Sequence, residues 1–171
     1  MAKNPGMKIR HPKMRGEWVE LKFMLRAMEL GLFLCKPWGE VRPYDFVVEY
    51  GGRFVRVQVK STMFVDRGGY SCTVRGADGP YETDSFEFLA AYVFQEDCWY
   101  IIPADLVEGQ GSIALYPHLG NSKYARYREA WYLLRHGERP AQTAADIMAC
   151  VDEDYEPGVG ERLWSWVMGW V

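Results

Sequence analysis

The sequence has few of the residues from which metal-thiolate sites and disulfide frameworks are built. Its 171 residues include four cysteines and three histidines, all far apart, with no Cys-x-x-Cys pair and no histidine at zinc-ligand spacing. This spacing argues against a structural zinc site and a disulfide framework, and it favours buried reduced thiols. The chain also contains no internal repeat, no Walker-type glycine loop and no Gly-x-Gly-x-x-Gly motif. Repeat proteins and the common nucleotide-binding sites are therefore disfavoured.

Long apolar segments are absent as well. No apolar run approaches the about 20 residues that a membrane-spanning helix needs. The N-terminus lacks an apolar segment followed by a cleavage site. With 49% hydrophobic and 25% charged residues, the composition is that of a soluble globular protein. We therefore expect a cytoplasmic protein with no membrane partner, and the length predicts one domain with a full core.

The net charge of −3 is small, but it is unevenly distributed. Residues 1–15 carry five basic side chains and no acid, whereas residues 140–171 carry six acids and one arginine. A basic arm on a near-neutral body is compatible with phosphate contacts, although solvated chain ends have a similar composition. We therefore divide the chain into a basic arm (1–15), a main domain (16–139) and a helical, tryptophan-rich C-terminal extension (140–171) packed on the same domain.

The clearest local signal is a β-hairpin. Residues 44–50 and 53–61 are rich in β-branched and aromatic side chains, and only Gly51-Gly52 separates them. Two glycines suit a two-residue hairpin loop that needs positive φ. Closing the hairpin at this loop places Asp45 directly across from Gln58.

A polar cluster follows from the alternation of side chains along the second strand. Gln58 and Lys60 share one face, whereas Val55, Val57 and Val59 take the other. Oxygen atoms of Asp45, the Gln58 amide and the Val59 carbonyl could bind a hard divalent cation, with Lys60 orienting a water or stabilising phosphate charge. The alternative is a partly solvated Asp45–Lys60 ion pair beside a merely polar Gln58.

The first helix is predicted from Gly16 to Gly31, with Gly31 at the C-terminal cap. Helical spacing places Glu20 on the same side as Met24 and Ala27. An acid on an otherwise apolar face needs a partner, because burying an unpaired carboxylate is costly. A metal site at the edge of the sheet is one such partner; a backbone amide or a salt bridge are others.

The rest of the chain predicts further strands and helices. For residues 86–94 the periodicity leaves a strand and the start of a helix open. The terminal tryptophans favour core packing or a subunit contact over base stacking. The predicted strands are 32–36, 70–75, 86–94 and 98–103, and the predicted helices are 121–136 and 141–150, followed by an acidic loop and the apolar segment 163–171.

Three short motifs in this order resemble those of a known superfamily. They are Gly16 followed by Glu20 on the first helix, Pro43-Tyr44-Asp45 before a strand, and Gln58-Val59-Lys60 on the next strand. Over about residues 15–62 the chain resembles the PD-(D/E)XK nucleases. It is most similar to their bacterial intron-associated homing endonucleases, and more distantly to archaeal Holliday-junction resolvases.

This resemblance implies an α/β, restriction-endonuclease-like core, in which helices flank a central mixed β-sheet. It also implies Mg²⁺-dependent cleavage of DNA phosphodiester bonds, with Mn²⁺ as a substitute ion. By position, Asp45 would bind the metal, Glu20 would be the helix acid, Gln58 would fill the second acidic position and Lys60 would be the motif lysine. Gln58 departs from the usual Glu or Asp, although the homing-endonuclease branch is similar in using Gln-x-Lys. One negative charge fewer predicts weaker metal binding unless Glu20 compensates.

The working hypothesis is therefore an endonuclease whose partners are DNA and further copies of the same chain, as a dimer or tetramer. One alternative is a catalytically inactive nuclease-fold module that binds DNA or protein. Another is a structural oligomer built through the tryptophan-rich end. The candidate DNA contacts are Arg42, Arg56 and Ser61 near the site, with Lys13 and Arg15 in the arm.

Overall fold

A computed structural model describes residues 9, 11–39, 41–76, 79–82 and 84–136. The first element is helix α1, Pro12–Glu29. It begins four residues before the predicted Gly16, because Pro12 is well suited to the first turn of a helix. It ends at Glu29, and Gly31, the predicted C-terminal cap, follows with a φ of 74°. The Gly31 and Leu32 N–H groups donate to the carbonyls of Met28 and Ala27, which closes the helix in a Schellman motif.

A mixed five-stranded sheet forms the centre of the molecule. Its strands are β1 (Phe33–Cys35), β2 (Phe46–Tyr50), β3 (Arg53–Thr62), β6 (Phe88–Val93) and β7 (Cys98–Pro103), in the order β1-β2-β3-β6-β7. Only the pairing of β3 with β6 is parallel among these neighbours. The sheet confirms the predicted α/β class. Within residues 86–94, where a strand and the start of a helix were both open, the structure has the strand Phe88–Val93.

The hairpin has the predicted register. Tyr50 pairs with Arg53 and Phe46 pairs with Val57. Gly51 and Gly52 have φ values of 57° and 80°, which are the left-handed conformations that a tight two-residue turn requires. The next opposed pair in this register is Asp45 and Gln58.

A second, three-stranded sheet lies beside β3. It consists of β4 (Val65–Asp66), β5 (Gly69–Thr73) and β8 (Ser112–Leu115) in that order. The predicted strand 70–75 corresponds to β5, whereas β4 and β8 were not predicted. The Thr62 hydroxyl at the end of β3 donates to the Ser71 carbonyl at 2.6 Å. This bond ties the second sheet to the strand that carries Gln58 and Lys60.

The predicted helix over residues 121–136 is wrong. The segment contains a 3₁₀ turn, Ala125–Tyr127, and a short helix α2, Tyr132–His136. Between them Glu129 has a φ of 53°, which no continuous helix permits. Its N–H donates to the Trp99 carbonyl at 2.8 Å, and its carboxylate accepts the Trp99 N–H at 2.7 Å. The chain therefore pairs with the edge of β7 instead of continuing as a helix.

Aromatic side chains join α1 to the sheet. Phe23 is fully buried and stacks on Phe46 and Trp131, with Trp99 meeting it edge-on. None of the described helices is long and apolar enough to cross a membrane. The predicted helix 141–150, the tryptophan-rich segment 163–171 and most of the basic arm lie outside the described residues.

Candidate active site

Asp45 lies immediately before β2, where the hairpin register predicted it. Its N–H donates to the Val57 carbonyl at 3.0 Å, which extends the β2–β3 pairing by one residue. Its carboxylate accepts two hydrogen bonds, from the Val59 N–H at 2.7 Å and from the Gln58 amide nitrogen at 2.5 Å. The carboxylate is therefore held across β3 by both the backbone and a side chain.

Gln58 is buried, with only 6% of its surface exposed. Its amide nitrogen donates to Asp45 Oδ2 and also to the Val59 carbonyl at 3.1 Å. The sequence hypothesis required the amide oxygen on this side. The structure presents the nitrogen instead, so a ligand role for Gln58 requires the amide to rotate.

Glu20 extends from α1 toward the same place, and its partner is Lys36. The Lys36 Nζ lies 2.6 Å from Glu20 Oε2, with 56% of the lysine side chain and 23% of the glutamate side chain exposed. This hydrogen bond raises the pKa of Lys36, against the opposing effect of its partial burial. Of the three partners considered for Glu20, a salt bridge is therefore present.

Lys60 and Ser61 complete one cavity of about 320 Å³ at the end of β3. The Lys60 amine lies over the ring of Tyr81, 5.2 Å from its centre. All four predicted catalytic side chains line this cavity together. Its complete lining is Gly16, Val19, Glu20, Asp45, Gln58, Val59, Lys60, Ser61 and Thr73.

A larger groove of about 960 Å³ opens from the same two acids toward solvent. Lys13 and Arg42 line it, as does Trp38, whose side chain is fully exposed. Lys36 also lines this groove, beside its partner Glu20. The groove therefore combines three cationic side chains with three carboxylates, those of Glu17, Glu20 and Asp45.

Two of the predicted DNA contacts lie elsewhere. Arg56 pairs with Glu87. The guanidinium Nε of Arg56 lies 3.0 Å from one carboxylate oxygen, and the backbone N–H of Arg56 donates to the other at 2.5 Å. Neither Arg56 nor Arg15 lines the cavity or the groove. Lys13, Arg42 and Ser61 do.

Comparison with known proteins bears directly on this arrangement. A sequence model of PD-(D/E)XK endonucleases matches residues 10–134. This chain belongs to the PD-(D/E)XK endonuclease family. Its fold is similar to that of a bacterial homing endonuclease, I-Ssp6803I, with a TM-score of 0.63 and 29% identity over 72% of this chain and 92% of that one. No curated protein matches the sequence.

The resemblance read from the three short motifs is thus confirmed. Members of the PD-(D/E)XK family generally use divalent metal ions. Two oxygens here fit such an ion, because Asp45 Oδ2 and the Val59 carbonyl both accept from the Gln58 amide nitrogen, at 2.5 and 3.1 Å. Glu20 lines the same cavity. Carboxylate and carbonyl oxygens are the ligands that Mg²⁺ prefers.

The donor set is nevertheless poor in acids. Within the part of the chain that the structure describes, no group of three His, Cys, Asp or Glu side chains could hold a metal. Asp45 and Glu20 are the two carboxylates lining the cavity. A cation here would depend on backbone, amide and water oxygens for its remaining ligands. This follows from the presence of Gln58 at a position where the superfamily usually has Glu or Asp.

Lys36 is the site residue that sequence reasoning missed. Cys35, at the end of β1, pairs with Val47, so the next residue along the strand comes opposite Phe46 and adjacent to Asp45. The Lys36 amine lies 5.7 Å from the centre of the Phe46 ring. The predicted strand 32–36 contained this signal, but its antiparallel pairing with β2 was not predicted.

Burial raises the pKa of Asp45 from its ordinary value of 3.8 to about 6. The hydrogen bond from the Val59 N–H opposes this shift, and the Glu20 carboxylate reinforces it. The positive charges of Lys60 and Lys36 lower the pKa by smaller amounts. The metal-free site therefore holds a proton on Asp45 more readily than an unfolded chain would.

A pH dependence of stability follows from this raised pKa. Because the folded state binds the Asp45 proton more tightly than the unfolded state, the stability contributed by this group is present below about pH 4 and is lost as the pH rises through about 6. The free energy of unfolding of Asp45→Asn, taken relative to wild type, should therefore increase by about 2–3 kcal/mol as the pH rises from about 4 to about 7. Urea denaturation in EDTA at several pH values measures the difference. A difference that stays constant with pH would contradict this assignment.

Proposed function

We propose that the protein is an Mg²⁺-dependent endonuclease that hydrolyses DNA phosphodiester bonds. The observation that supports this most is the convergence of Asp45 Oδ2 and the Val59 carbonyl on one donor, in a cavity shared with Glu20 and Lys60. Family membership supports the same reaction class.

Each residue has a role that its position supports. Asp45 and the Val59 carbonyl would hold the cation, with Glu20 binding directly or through water and Gln58 contributing its oxygen after amide rotation. The bound ion would supply Lewis-acid polarisation of the phosphate and an activated water. Lys60 orients the attacking hydroxide and stabilises the charge that develops on the phosphate.

The groove supplies the surface for the DNA backbone. Lys13 and Arg42 would pair with phosphates along it, and Ser61 would contact a phosphate within the cavity. Such contacts are sequence-independent and weaken as salt is added. They position the duplex without selecting its sequence.

Oligomerisation is part of the proposal, because a dimer or tetramer can cut both strands. An apolar row on α1 supports it: the side chains of Leu21, Leu25 and Met28 are 64%, 62% and 64% exposed. Their spacing of four and three residues places them on one side of the helix. Light scattering on the pure protein tests this part.

Lys60→Met should reduce cleavage of supercoiled plasmid in Mg²⁺ by about 10²–10³-fold, because it removes a preorganised positive charge beside the phosphate. Binding to the same DNA in EDTA should change little. The matched control is Lys123→Met, since Lys123 also lies over a tyrosine ring but lines neither the cavity nor the groove. The control should cleave like wild type.

Two outcomes would contradict the proposal. If pure wild-type protein binds duplex DNA in EDTA but never cleaves it in Mg²⁺ or Mn²⁺, the chain is an inactive DNA-binding module. If Lys60→Met cleaves at the wild-type rate, the assigned site is wrong even though the protein is a nuclease.

A further inference from the structure

Both acids of the candidate site have a nitrogen donor from the chain itself. The Asp45 carboxylate accepts from the Gln58 amide at 2.5 Å, and the Glu20 carboxylate accepts from the Lys36 amine at 2.6 Å. Each donor lies against a carboxylate that the proposed function gives to a metal ion. Direct metal binding at the same oxygens would displace or reorient both donors.

The two donors differ in charge and in how far they can move. The amide of Gln58 is buried and neutral, so it can only rotate in place. Lys36 carries a charge on a long flexible side chain that is 56% exposed and lines the open groove. Once it leaves Glu20, its amine is available to a new anionic partner.

The groove is the place where such a partner would lie. Lys13 and Arg42 line its walls, and it is contiguous with the cavity through Gly16, Glu20 and Asp45. A nucleic acid backbone following the groove would bring a phosphate to the same cationic set. The ammonium group is a compact donor suited to a phosphate oxygen.

We infer that Lys36 exchanges its partner, from the Glu20 carboxylate in metal-free protein to a DNA backbone phosphate when a divalent cation occupies Glu20. This inference rests on the proposed function and adds a residue to it. Lys36 is then a competitor of the metal and a ligand of the DNA. Metal and DNA binding are coupled through Lys36. A metal ion on Glu20 releases the Lys36 amine for a phosphate, and a bound phosphate removes that amine from the carboxylate on which it competes with the metal.

The first test measures metal affinity without DNA. Isothermal titration with Mg²⁺ should show about two- to fivefold tighter binding to Lys36→Met than to wild type, which is the range expected when a partly exposed ion pair stops competing. Lys123→Met is the control for the loss of one lysine charge, because Lys123 lines neither the cavity nor the groove. Its Mg²⁺ affinity should stay at the wild-type value.

The second test measures DNA affinity. With a short mixed-sequence duplex at low salt and Ca²⁺ in place of Mg²⁺, Lys36→Met should bind more weakly than wild type by about two- to fivefold. In EDTA the same variant should bind like wild type, because Lys36 is then engaged by Glu20. Intactness of the DNA is checked in the same samples.

Lys36→Arg keeps the charge and guards against a folding defect. A guanidinium can hold Glu20 through two hydrogen bonds, so this variant should bind Mg²⁺ no more tightly than wild type. Thermal denaturation confirms that all variants are folded.

The inference is overturned if Lys36→Met binds Mg²⁺ with unchanged or lower affinity, since a residue that merely orients Glu20 would weaken metal binding when removed. In that case wild-type cleavage in Mg²⁺ leaves the proposed function intact. If wild-type protein binds no Mg²⁺ and cleaves no DNA, both proposals fail together.

Discussion

Asp45→Asn should reduce Mg²⁺-dependent DNA cleavage by about 10³-fold or more, since a metal ligand supports several kcal/mol of transition-state stabilisation. Asparagine keeps an oxygen to accept the Val59 N–H but removes the negative charge that would hold the cation. The measurement is the initial rate of plasmid nicking at saturating DNA. Higher Mg²⁺ should recover part of the lost rate if weaker metal binding is the cause.

The fold should survive this change, which separates lost chemistry from lost structure. Because burial raises the pKa of Asp45 to about 6, the charged carboxylate costs stability at neutral pH. The variant should unfold at an equal or higher urea concentration than wild type, and it should still bind DNA in EDTA. Wild-type cleavage by a folded Asp45→Asn would place the metal elsewhere.

Phe23→Ala should lower the free energy of unfolding by about 3–5 kcal/mol, because it leaves a cavity among large aromatic side chains. Phe23 has no exposed surface, and its ring lies 5.4–5.6 Å from those of Phe46, Trp99 and Trp131. This contact fixes α1, and with it Glu20, against the sheet. Urea denaturation followed by circular dichroism measures the loss.

Phe54→Ala is the matched control for this prediction. Its side chain is 65% exposed on β3, so truncation should change stability by less than about 0.5 kcal/mol. Equal losses for the two variants would show that the described core does not carry the fold's stability.

The hairpin and the positions of three site residues could be predicted because their determinants are local. Two consecutive glycines select one tight turn, and strand alternation then places Asp45 beside Gln58 with Lys60 two residues on. Helical periodicity likewise put Glu20 on an inward side of α1. The catalytic roles of these side chains remain predictions.

The segment over residues 121–136 could not be predicted because its determinants are distant in sequence. Its composition suits an amphipathic helix, yet Glu129 forms hydrogen bonds with the backbone of Trp99, 30 residues earlier. Its side chain also accepts from the Trp131 indole at 2.8 Å. Tertiary hydrogen bonds here outweigh the local preference for a helix, which is worth only about 0.1–1 kcal/mol per residue.

Lys36 was missed for a related reason. Its contact with Glu20 spans 16 residues and requires α1 and β1 to lie side by side. A three-residue strand has too little pattern to reveal which neighbour it pairs with. The direction of the Gln58 amide was equally hidden, because it depends on both neighbouring groups, Asp45 Oδ2 and the Val59 carbonyl, being acceptors.

The pairing of residues 128–129 with β7 has a consequence for behaviour at high concentration. Arg128 bridges to Tyr100, and Glu129 occupies both backbone groups of Trp99, so this border of the sheet offers fewer open sites for a foreign strand. The opposite border, β1, has only three residues. Exposed strand borders promote fibril growth, and short or covered ones resist it. The turn that replaces a helix thus leaves this hydrophobic sheet fewer open backbone groups for edge-to-edge strand addition.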